Sequence, residues 1–136
     1  MPLRKAEAEW KGNITEGSGN LKLGSGAFEG QYSFASRFEE GTGTNPEELV
    51  AAAHSGCFTM ALSFALNQAG FTADNIDTKC TITLENGAIT ESHLEVTAKV
   101  PGIDKAKFDE VAAGAKANCP ISKLLNTTIN MEATLA

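Results

Sequence analysis

The chain has 136 residues, of which 42% are hydrophobic and 21% charged, a length and composition typical of one soluble globular domain. Its formal net charge of −6 argues against nucleic acids and anionic membrane surfaces as partners, because both attract clustered Lys and Arg. The first ten residues have no apolar core of the kind a secretory signal needs, and the apolar stretch 49–66 contains too many polar and small positions for a membrane span. We therefore expect a single domain, residues 1–136, located in the cytoplasm.

The chain contains three cysteines, and their number and spacing exclude several common uses of cysteine. An odd count without a secretory signal disfavours a structural disulfide framework. The absence of a CxxC pair disfavours both a thioredoxin-type motif and a zinc ribbon. Each cysteine therefore has to be judged by its own surroundings.

Three strands are predicted before residue 40. Residues 3–11 alternate between an apolar and a charged face, as a half-buried strand does. Leu21 and Leu23 indicate a second short strand, and Gln31 to Phe34 a third, with glycine-rich turns between them. No helix start with Lys-Ser/Thr follows these glycines, so a phosphate-binding loop is not expected.

A long helix is predicted between residues 45 and 70. Asn45 is a good N-cap, Pro46 suits the first helical position, Glu48 completes a capping box, and Gly70 suits the C′ position. Such a helix is about 36 Å long, whereas a domain of this size has a radius of gyration of about 14 Å. It is apolar or small nearly all round, so a sheet can cover one face and a second surface must cover the other.

The remaining elements complete an α+β fold. Residues 78–100 predict a β-hairpin with the turn Asn86-Gly87. Asp104 caps a second helix that ends near Ala117, a further helical turn runs through 124–125, and residues 129–135 alternate as a final strand. The order β-β-β-α-β-β-α-β predicts antiparallel sheets with a long central helix.

The three cysteines differ in their predicted surroundings. Cys57 lies within the apolar helix, and Cys80 shares strand parity with Ile82 and Leu84, so either residue can be explained as a small core side chain. Cys119 precedes a proline at a predicted helix start, where backbone N–H groups stabilise a thiolate. Of the three, Cys119 is the least well explained by packing alone.

Other polar residues also have structural explanations. His54 can share a helix face with Cys57 and so form a metal-binding pair. However, His93 falls on a polar strand face, which leaves too few ligands for a closed zinc site, and a packed or hydrogen-bonded His54 is favoured. Glu47 can complement the helix dipole, and an arginine among acidic residues, such as Arg37, is usually a surface residue.

The order of these residues along the chain resembles the osmotically inducible protein C (OsmC) family of peroxidases. The resemblance covers nearly the full chain and rests on the stretches Arg37-Phe38-Glu39, Gly43-Thr44-Asn45-Pro46-Glu47-Glu48-Leu49, Ala53-His54-Ser55-Gly56-Cys57-Phe58, Val100-Pro101-Gly102-Ile103-Asp104 and Ala117-Asn118-Cys119-Pro120-Ile121-Ser122. The related organic hydroperoxide resistance branch usually carries its arginine nearer the N-terminus and a tyrosine in place of this histidine. Arg37 and His54 therefore favour the OsmC branch.

The resemblance implies a role for four residues and none for Cys80. Cys57 is then the peroxidatic thiol, Cys119 the resolving thiol that forms a disulfide with it, and Arg37 and Glu47 the polar pair that activates Cys57. Such an enzyme reduces organic hydroperoxides to alcohols in oxidative and osmotic stress defence. It needs no flavin, haem or metal, and its reductant is an external thiol or a dithiol such as a lipoyl-linked one.

The implied roles lead us to expect an intertwined, obligate homodimer. On one continuous helix Glu47 and Cys57 are ten residues apart, about 15 Å along the axis. An Arg37 paired with Glu47 can hardly reach Cys57 of its own chain at hydrogen-bond distance. We therefore expect Arg37 and Glu47 to act on Cys57 of the partner subunit, with the long helices antiparallel around a two-fold axis.

Two other functions are compatible with reactive or buried cysteines. A thiol-based redox sensor would share the chemistry at Cys57, although the sequence has no basic DNA-binding helix. A small-molecule binding protein would use its cysteines only to pack the core.

Overall fold

The computed structural model describes all 136 residues, which form two units, Met1–Leu49 and Val50–Ala136. The first unit contains strands β1 (Ala6–Lys11), β2 (Ser18–Leu23) and β3 (Glu29–Tyr32) and the short helix α1 (Phe34–Phe38). Helix α2 (Pro46–Gln68) begins in the first unit and continues into the second. The second unit adds strands β4 (Asn75–Glu85), β5 (Ala88–Lys99) and β6 (Thr128–Leu135) and helices α3 (Lys105–Asn118) and α4 (Pro120–Leu124). This is the predicted α+β order, with α1 as an additional short helix, and α4 corresponds to the predicted helical turn near residues 124–125 but begins earlier.

The first unit is a three-stranded antiparallel sheet with one apolar face. Strand β2 is central, and residues directly opposite each other on neighbouring strands share a face. One face therefore collects the apolar residues Ala6, Ala8, Trp10, Leu21, Leu23 and Tyr32. The prediction of a half-buried strand over 3–11 is only partly correct, because Ala6 and Ala8 are exposed and only Trp10 is partly covered. The part of this face on β2 and β3 is better covered, because Leu21, Leu23 and Tyr32 are partly buried.

Residues around 31–38 adopt a different local structure from the predicted third strand. Strand β3 ends at Tyr32, and Ser33 caps α1 by accepting a hydrogen bond from the Ser36 backbone N–H. The Ser36 hydroxyl accepts in return from the Ser33 backbone N–H, which completes a capping box made of two serines. This reciprocal pair explains why the strand stops and a helical turn carrying Arg37 begins.

Helix α2 begins and ends where the sequence predicts. The Asn45 side chain accepts a hydrogen bond from the Glu48 N–H at 2.7 Å, although the Glu48 carboxylate bonds the Thr44 hydroxyl rather than completing the predicted capping box. At the other end Gly70 has φ +93°, and Phe71 N–H donates to the Leu66 carbonyl in a Schellman arrangement. By length and composition α2 is also the one helix that could cross a membrane, a property shared by core helices of soluble proteins.

The second unit packs α2 and α3 with a three-stranded sheet in the order β4-β5-β6. Strands β4 and β5 form the predicted hairpin, and its turn residues Asn86 and Gly87 both have positive φ. Strand β6, however, runs parallel to β5, so the expectation of purely antiparallel sheets is wrong for this strand. The reason is the helical connection through α3 and α4, which returns the chain to the same end of the sheet before β6 begins.

The core of the second unit joins one stripe of α2, one face of β5 and one face of α3. On α2 the buried residues recur every four positions, which places them on one side of the helix. The buried apolar side chains are Phe58, Leu62, Leu66, Leu94, Val96, Ala98, Val100, Phe108, Ala112, Ala115 and Cys119. The opposite side of α2 remains open, with Met60 76% and Phe64 66% exposed.

Candidate active site

Two of the three cysteines meet in the second unit. Cys57 lies on α2, and Cys119 is the residue between α3 and α4, at the N-cap position of α4. The side chains of Cys57 and Cys119 are neighbours in the core of this unit, close enough to shift each other's pKa, and both thiols are free. Cys119 is fully buried, whereas Cys57 is only partly buried. The sequence places these two residues far apart, and the fold brings their sulfur atoms together.

The surroundings shift the pKa values of the two thiols in opposite directions. Burial raises the pKa of the Cys57 thiol, and its hydrogen bond with Cys119 adds to this effect, outweighing a backbone hydrogen bond from Ile121. Burial also opposes the Cys119 thiolate, but the neighbouring Cys57 thiol and the polar groups of Ser122 and Ile121 outweigh it and lower the pKa of Cys119. The Cys119 side chain makes no cap hydrogen bond at the start of α4, so the stabilisation of its thiolate by backbone donors stays a prediction.

Cys57 opens onto an apolar cavity between α2 and α3. The cavity has a volume of about 740 Å³, within the range typical of small-molecule sites. Its floor and walls are formed by Cys57, Met60, Ala61, Phe64, Ala65, Gln68, Glu110, Val111, Gly114, Ala115, Asn118 and Pro120. Cys119 is not among these residues. A molecule in the cavity can therefore touch the Cys57 sulfur, while the Cys119 sulfur lies behind it.

Arg37 and Glu47 form a second polar pair, located in the first unit. The Arg37 Nε and Nη2 atoms donate to the two Glu47 carboxylate oxygens at 2.9 and 2.8 Å. This bidentate contact raises the pKa of Arg37, so the guanidinium stays charged. The Glu47 side chain is 14% exposed and that of Arg37 37%, so the pair is held firmly while the cation stays accessible.

His54 is the centre of a buried polar cluster that the sequence indicated only in part. It is fully buried, with Nδ1 2.6 Å from the Ser92 hydroxyl and Nε2 2.8 Å from the Ser122 hydroxyl. Both ring nitrogens are thus occupied by serines, which agrees with the favoured hydrogen-bonded reading of His54 rather than a Cys–His metal pair. The Cys80 sulfur lies 3.3 Å from the Ser92 hydroxyl, at the edge of the same cluster.

Ser92 and Ser122 were not singled out from the sequence. A signal for Ser92 exists, because it has the strand parity of Leu94 and Val96 and therefore points to the core. A serine at such a position needs a hydrogen-bond partner. No comparable signal marks Ser122, whose contact with His54 depends on the packing of α4.

Comparison with known proteins agrees with the family resemblance. The family described as OsmC-like protein matches residues 39–134. The chain is 44% identical over 134 residues to peroxiredoxin OsmC of Escherichia coli strain K12, covering 95% of this chain and 94% of that protein. It is 35% identical over 98 residues to organic hydroperoxide resistance protein-like 2 of Staphylococcus epidermidis, covering 68% and 67% of the two chains.

Solved structures show the same fold at low sequence identity. An OsmC-like protein of Mycoplasma pneumoniae superposes with a TM-score of 0.77 at 14% identity, covering 99% of this chain and 98% of that one. The organic hydroperoxide resistance protein OhrB of Bacillus subtilis gives a TM-score of 0.66 at 22% identity, covering 97% and 98%. The family match over residues 39–134 and the identity to the E. coli protein along nearly its whole length show that the chain belongs to the OsmC family.

Proposed function

We propose that this chain is a thiol-dependent peroxidase that reduces organic hydroperoxides to alcohols as part of oxidative and osmotic stress defence. The observation that carries the proposal is a half-buried Cys57 that opens onto an apolar cavity and has a fully buried second thiol, Cys119, as its neighbour. The names of the relatives, a peroxiredoxin and organic hydroperoxide resistance proteins, support the same activity.

In this proposal the two cysteines have different roles because only one of them is accessible from the cavity. A hydroperoxide in the cavity can reach Cys57 but not Cys119, although the pKa of Cys119 is the lower of the two relative to an ordinary thiol. The Cys57 thiolate attacks the terminal peroxide oxygen, the O–O bond breaks, and the alkoxide takes up a proton and leaves as an alcohol. The Cys57 sulfenic acid then condenses with Cys119 to a disulfide and water, which protects it from further oxidation.

A thiol with a raised pKa needs an external cation for this chemistry. Arg37, held by Glu47, supplies a permanent charge and several N–H donors that suit both the thiolate and the departing alkoxide. Because Glu47 and Cys57 are ten residues apart on α2, about 15 Å along its axis, we assign the activating Arg37 to the partner subunit of a homodimer. This composite site is part of the proposal.

The uncovered apolar surfaces support the dimer. The sheet of the first unit has an apolar face whose Ala6 and Ala8 are exposed, and α2 exposes Met60 and Phe64. Large apolar areas of this kind are unusual on a monomer and typical of an obligate interface. A two-fold dimer would give each of these surfaces a partner in the second chain.

The remaining features of the proposal concern the reductant and the location. The proposed cycle balances with an external thiol or dithiol alone, so it includes no flavin, haem or metal, and a lipoyl-linked dithiol fits the role of reductant. Because the reductant must keep the Cys57–Cys119 pair reduced between turnovers, we place the enzyme in the cytoplasm, where thiols are maintained in the reduced state.

Repeated turnover is the test that separates this function from its rivals. Reduced protein is incubated with cumene hydroperoxide and excess dithiothreitol, and peroxide consumed per chain is measured over time. A peroxidase consumes many equivalents, whereas a redox sensor reacts about once and a binding protein not at all. Consumption that stops at one equivalent in the presence of dithiothreitol would overturn the proposed function.

A further inference from the structure

His54 is a buried histidine that the proposed reaction leaves without a role. It lies on α2, and its two ring nitrogens contact hydroxyls on two other elements. Nδ1 is 2.6 Å from the Ser92 hydroxyl on β5, and Nε2 is 2.8 Å from the Ser122 hydroxyl on α4. Both serines are buried, so water does not compete for these hydrogen bonds. His54 therefore connects α2 to the central strand of the sheet and to α4.

The contact between His54 and Ser122 links the same two segments of the chain as the two thiols. His54 is three residues before Cys57 on α2, and Ser122 is three residues after Cys119, which occupies the N-cap position of α4. Residues three apart on a helix lie on the same face, about one turn from each other. The hydrogen-bonded pair and the pair of thiols are therefore neighbouring contacts between α2 and the start of α4.

Helix α4 has few other side-chain contacts that could fix its position. It is five residues long and begins at Pro120. Ile121 packs partly against the core, whereas Leu124 is exposed. The contact of Ser122 with His54 is the one side-chain hydrogen bond that connects α4 to another element. Because a helix this short is not stable alone, its position against α2 depends on these few contacts.

A disulfide tolerates little error in the position of its two cysteines. Their Cα atoms are usually about 5.5 to 6 Å apart, and a bond becomes strained beyond about 7 Å. A displacement of α4 by about 1 to 2 Å therefore takes a well-placed pair to the limit of this range. Cys119 is also fully buried, so it cannot reach Cys57 by moving through solvent. The position of α4 thus decides whether the second step can occur.

We propose that His54 is a positioning residue, whose hydrogen bond with Ser122 holds α4 against α2 so that Cys119 can reach the oxidised Cys57. This inference rests on the proposed peroxidase function. In the step concerned, the Cys119 sulfur attacks the sulfenic sulfur of Cys57, an S–S bond forms and the S–O bond breaks. The departing hydroxide leaves with the thiol proton of Cys119 as one water. In the competing reaction, a second hydroperoxide transfers an oxygen to the same sulfenic acid, which gives a sulfinic acid and a second alcohol.

The division of Cys57 between these two products tests the inference. Folded, reduced protein recovered by gel filtration is treated with excess cumene hydroperoxide without dithiol. Mass spectrometry then gives the ratio of Cys57–Cys119 disulfide to Cys57 sulfinic acid. This ratio compares two fates of one intermediate, so it does not depend on the rate of peroxide attack. We expect Ser122→Ala to lower the ratio roughly tenfold, because α4 loses its hydrogen bond to α2, and an unchanged ratio would overturn the inference.

A second hydroxyl contact of α2 provides a matched control. The Thr59 and Thr78 hydroxyls are 2.7 Å apart and connect α2 to β4, without involving α4. Thr78→Val removes this contact at nearly constant side-chain volume, and the product ratio should stay within about twofold of the wild type. A fall as large as that in Ser122→Ala would show that any weakened contact of α2 has this effect, which would contradict a specific role of His54.

Two substitutions of His54 separate hydrogen bonding from packing. Gln and Leu are both uncharged side chains of moderate size, but only the Gln amide can hydrogen-bond to Ser122. The product ratio should therefore be several-fold higher in His54→Gln than in His54→Leu. Equal ratios in two folded variants would refute the positioning role, and if either variant fails to fold, Ser122→Ala against Thr78→Val decides the question. Wild-type protein that consumes no peroxide would refute the proposed function itself, whereas an active wild type whose ratio is unchanged in Ser122→Ala refutes only the role of His54.

Discussion

The thiols of Cys57 and Cys119 are neighbours, yet only Cys57 lines the apolar cavity. The buried partner is the one whose pKa is lowered, and the accessible partner is the one whose pKa is raised. A buried thiol with a stabilised thiolate suits the second step of a two-cysteine reaction, because it is shielded from peroxide and ready to attack a neighbouring sulfur. The accessible thiol, in contrast, depends on a cation to become reactive at neutral pH.

The three cysteines should differ in their importance for turnover. Cys57→Ser should abolish peroxide consumption, because serine has no comparable nucleophile at neutral pH. Cys80→Ser, the matched control with the same atom replaced, should retain most of the activity, because Cys80 lies away from the cavity, beside Ser92. Steady-state consumption of cumene hydroperoxide with dithiothreitol measures both. A folded but inactive Cys80→Ser protein would show that the cysteine assignment is wrong.

One equivalent of peroxide should produce a disulfide between Cys57 and Cys119 of the same chain. The crosslink closes a loop of roughly 60 residues, so an unstrained bond would stabilise the oxidised protein by up to about 4 kcal/mol. Mass spectrometry of non-reduced peptides identifies the bond, and denaturant unfolding of the oxidised and reduced forms measures its effect. Finding only a bond between Cys57 residues of two chains would contradict the prediction.

Several features of the fold were predictable because they depend on a few neighbouring residues. Asn45 and Pro46 start α2, Gly70 ends it, and Asn86-Gly87 turns the hairpin, each through its own backbone preference. The capping box of Ser33 and Ser36 is equally local but uses serine in place of the usual Glu or Gln, so the pattern was missed.

Other features depend on contacts between distant parts of the chain. The direction of β6 is decided by the path of α3 and α4, and alternation in its sequence is the same for parallel and antiparallel pairing. The partners of His54 are 38 and 68 residues away, so the sequence indicated a hydrogen-bonded histidine but not which residues bind it. The pairing of Cys57 with Cys119 was accessible only through the family resemblance.

The apolar cavity should favour hydroperoxides with an apolar substituent over hydrogen peroxide. Val111 lines the cavity from α3, and Val111→Ser should lower kcat/KM for cumene hydroperoxide roughly tenfold, because apolar contact with the substrate is lost, with little effect on hydrogen peroxide. Leu124→Ser is a suitable control, since Leu124 is 73% exposed and lies outside the cavity. Equal efficiency of the wild type with both peroxides would count against an apolar entrance.

The pH dependence of peroxide attack should reveal the cation that activates Cys57. Only the thiolate reacts, so the rate rises as pH increases through the pKa of Cys57, which burial raises. Removing Arg37 by Arg37→Ala should move this rise to higher pH and lower the rate at neutral pH roughly a hundredfold, since a charged donor is lost. Arg4→Ala removes the same charge from an exposed position and should leave the profile unchanged. Identical profiles for the wild type and Arg37→Ala would exclude Arg37 from the site.

The proposed composite site makes a specific prediction about mixed dimers. Chains carrying Cys57→Ser are inactive alone and chains carrying Arg37→Ala nearly so, but a heterodimer of the two has one site with both residues intact if Arg37 acts on the partner. Equal amounts under exchanging conditions should recover about a quarter of wild-type activity, because half of the dimers are mixed and each has one working site. As a control, wild type mixed with the Arg37→Ala, Cys57→Ser double variant gives heterodimers without a working site. Confirmed heterodimers without recovered activity, or a fully active monomer, would show that the site lies within one chain.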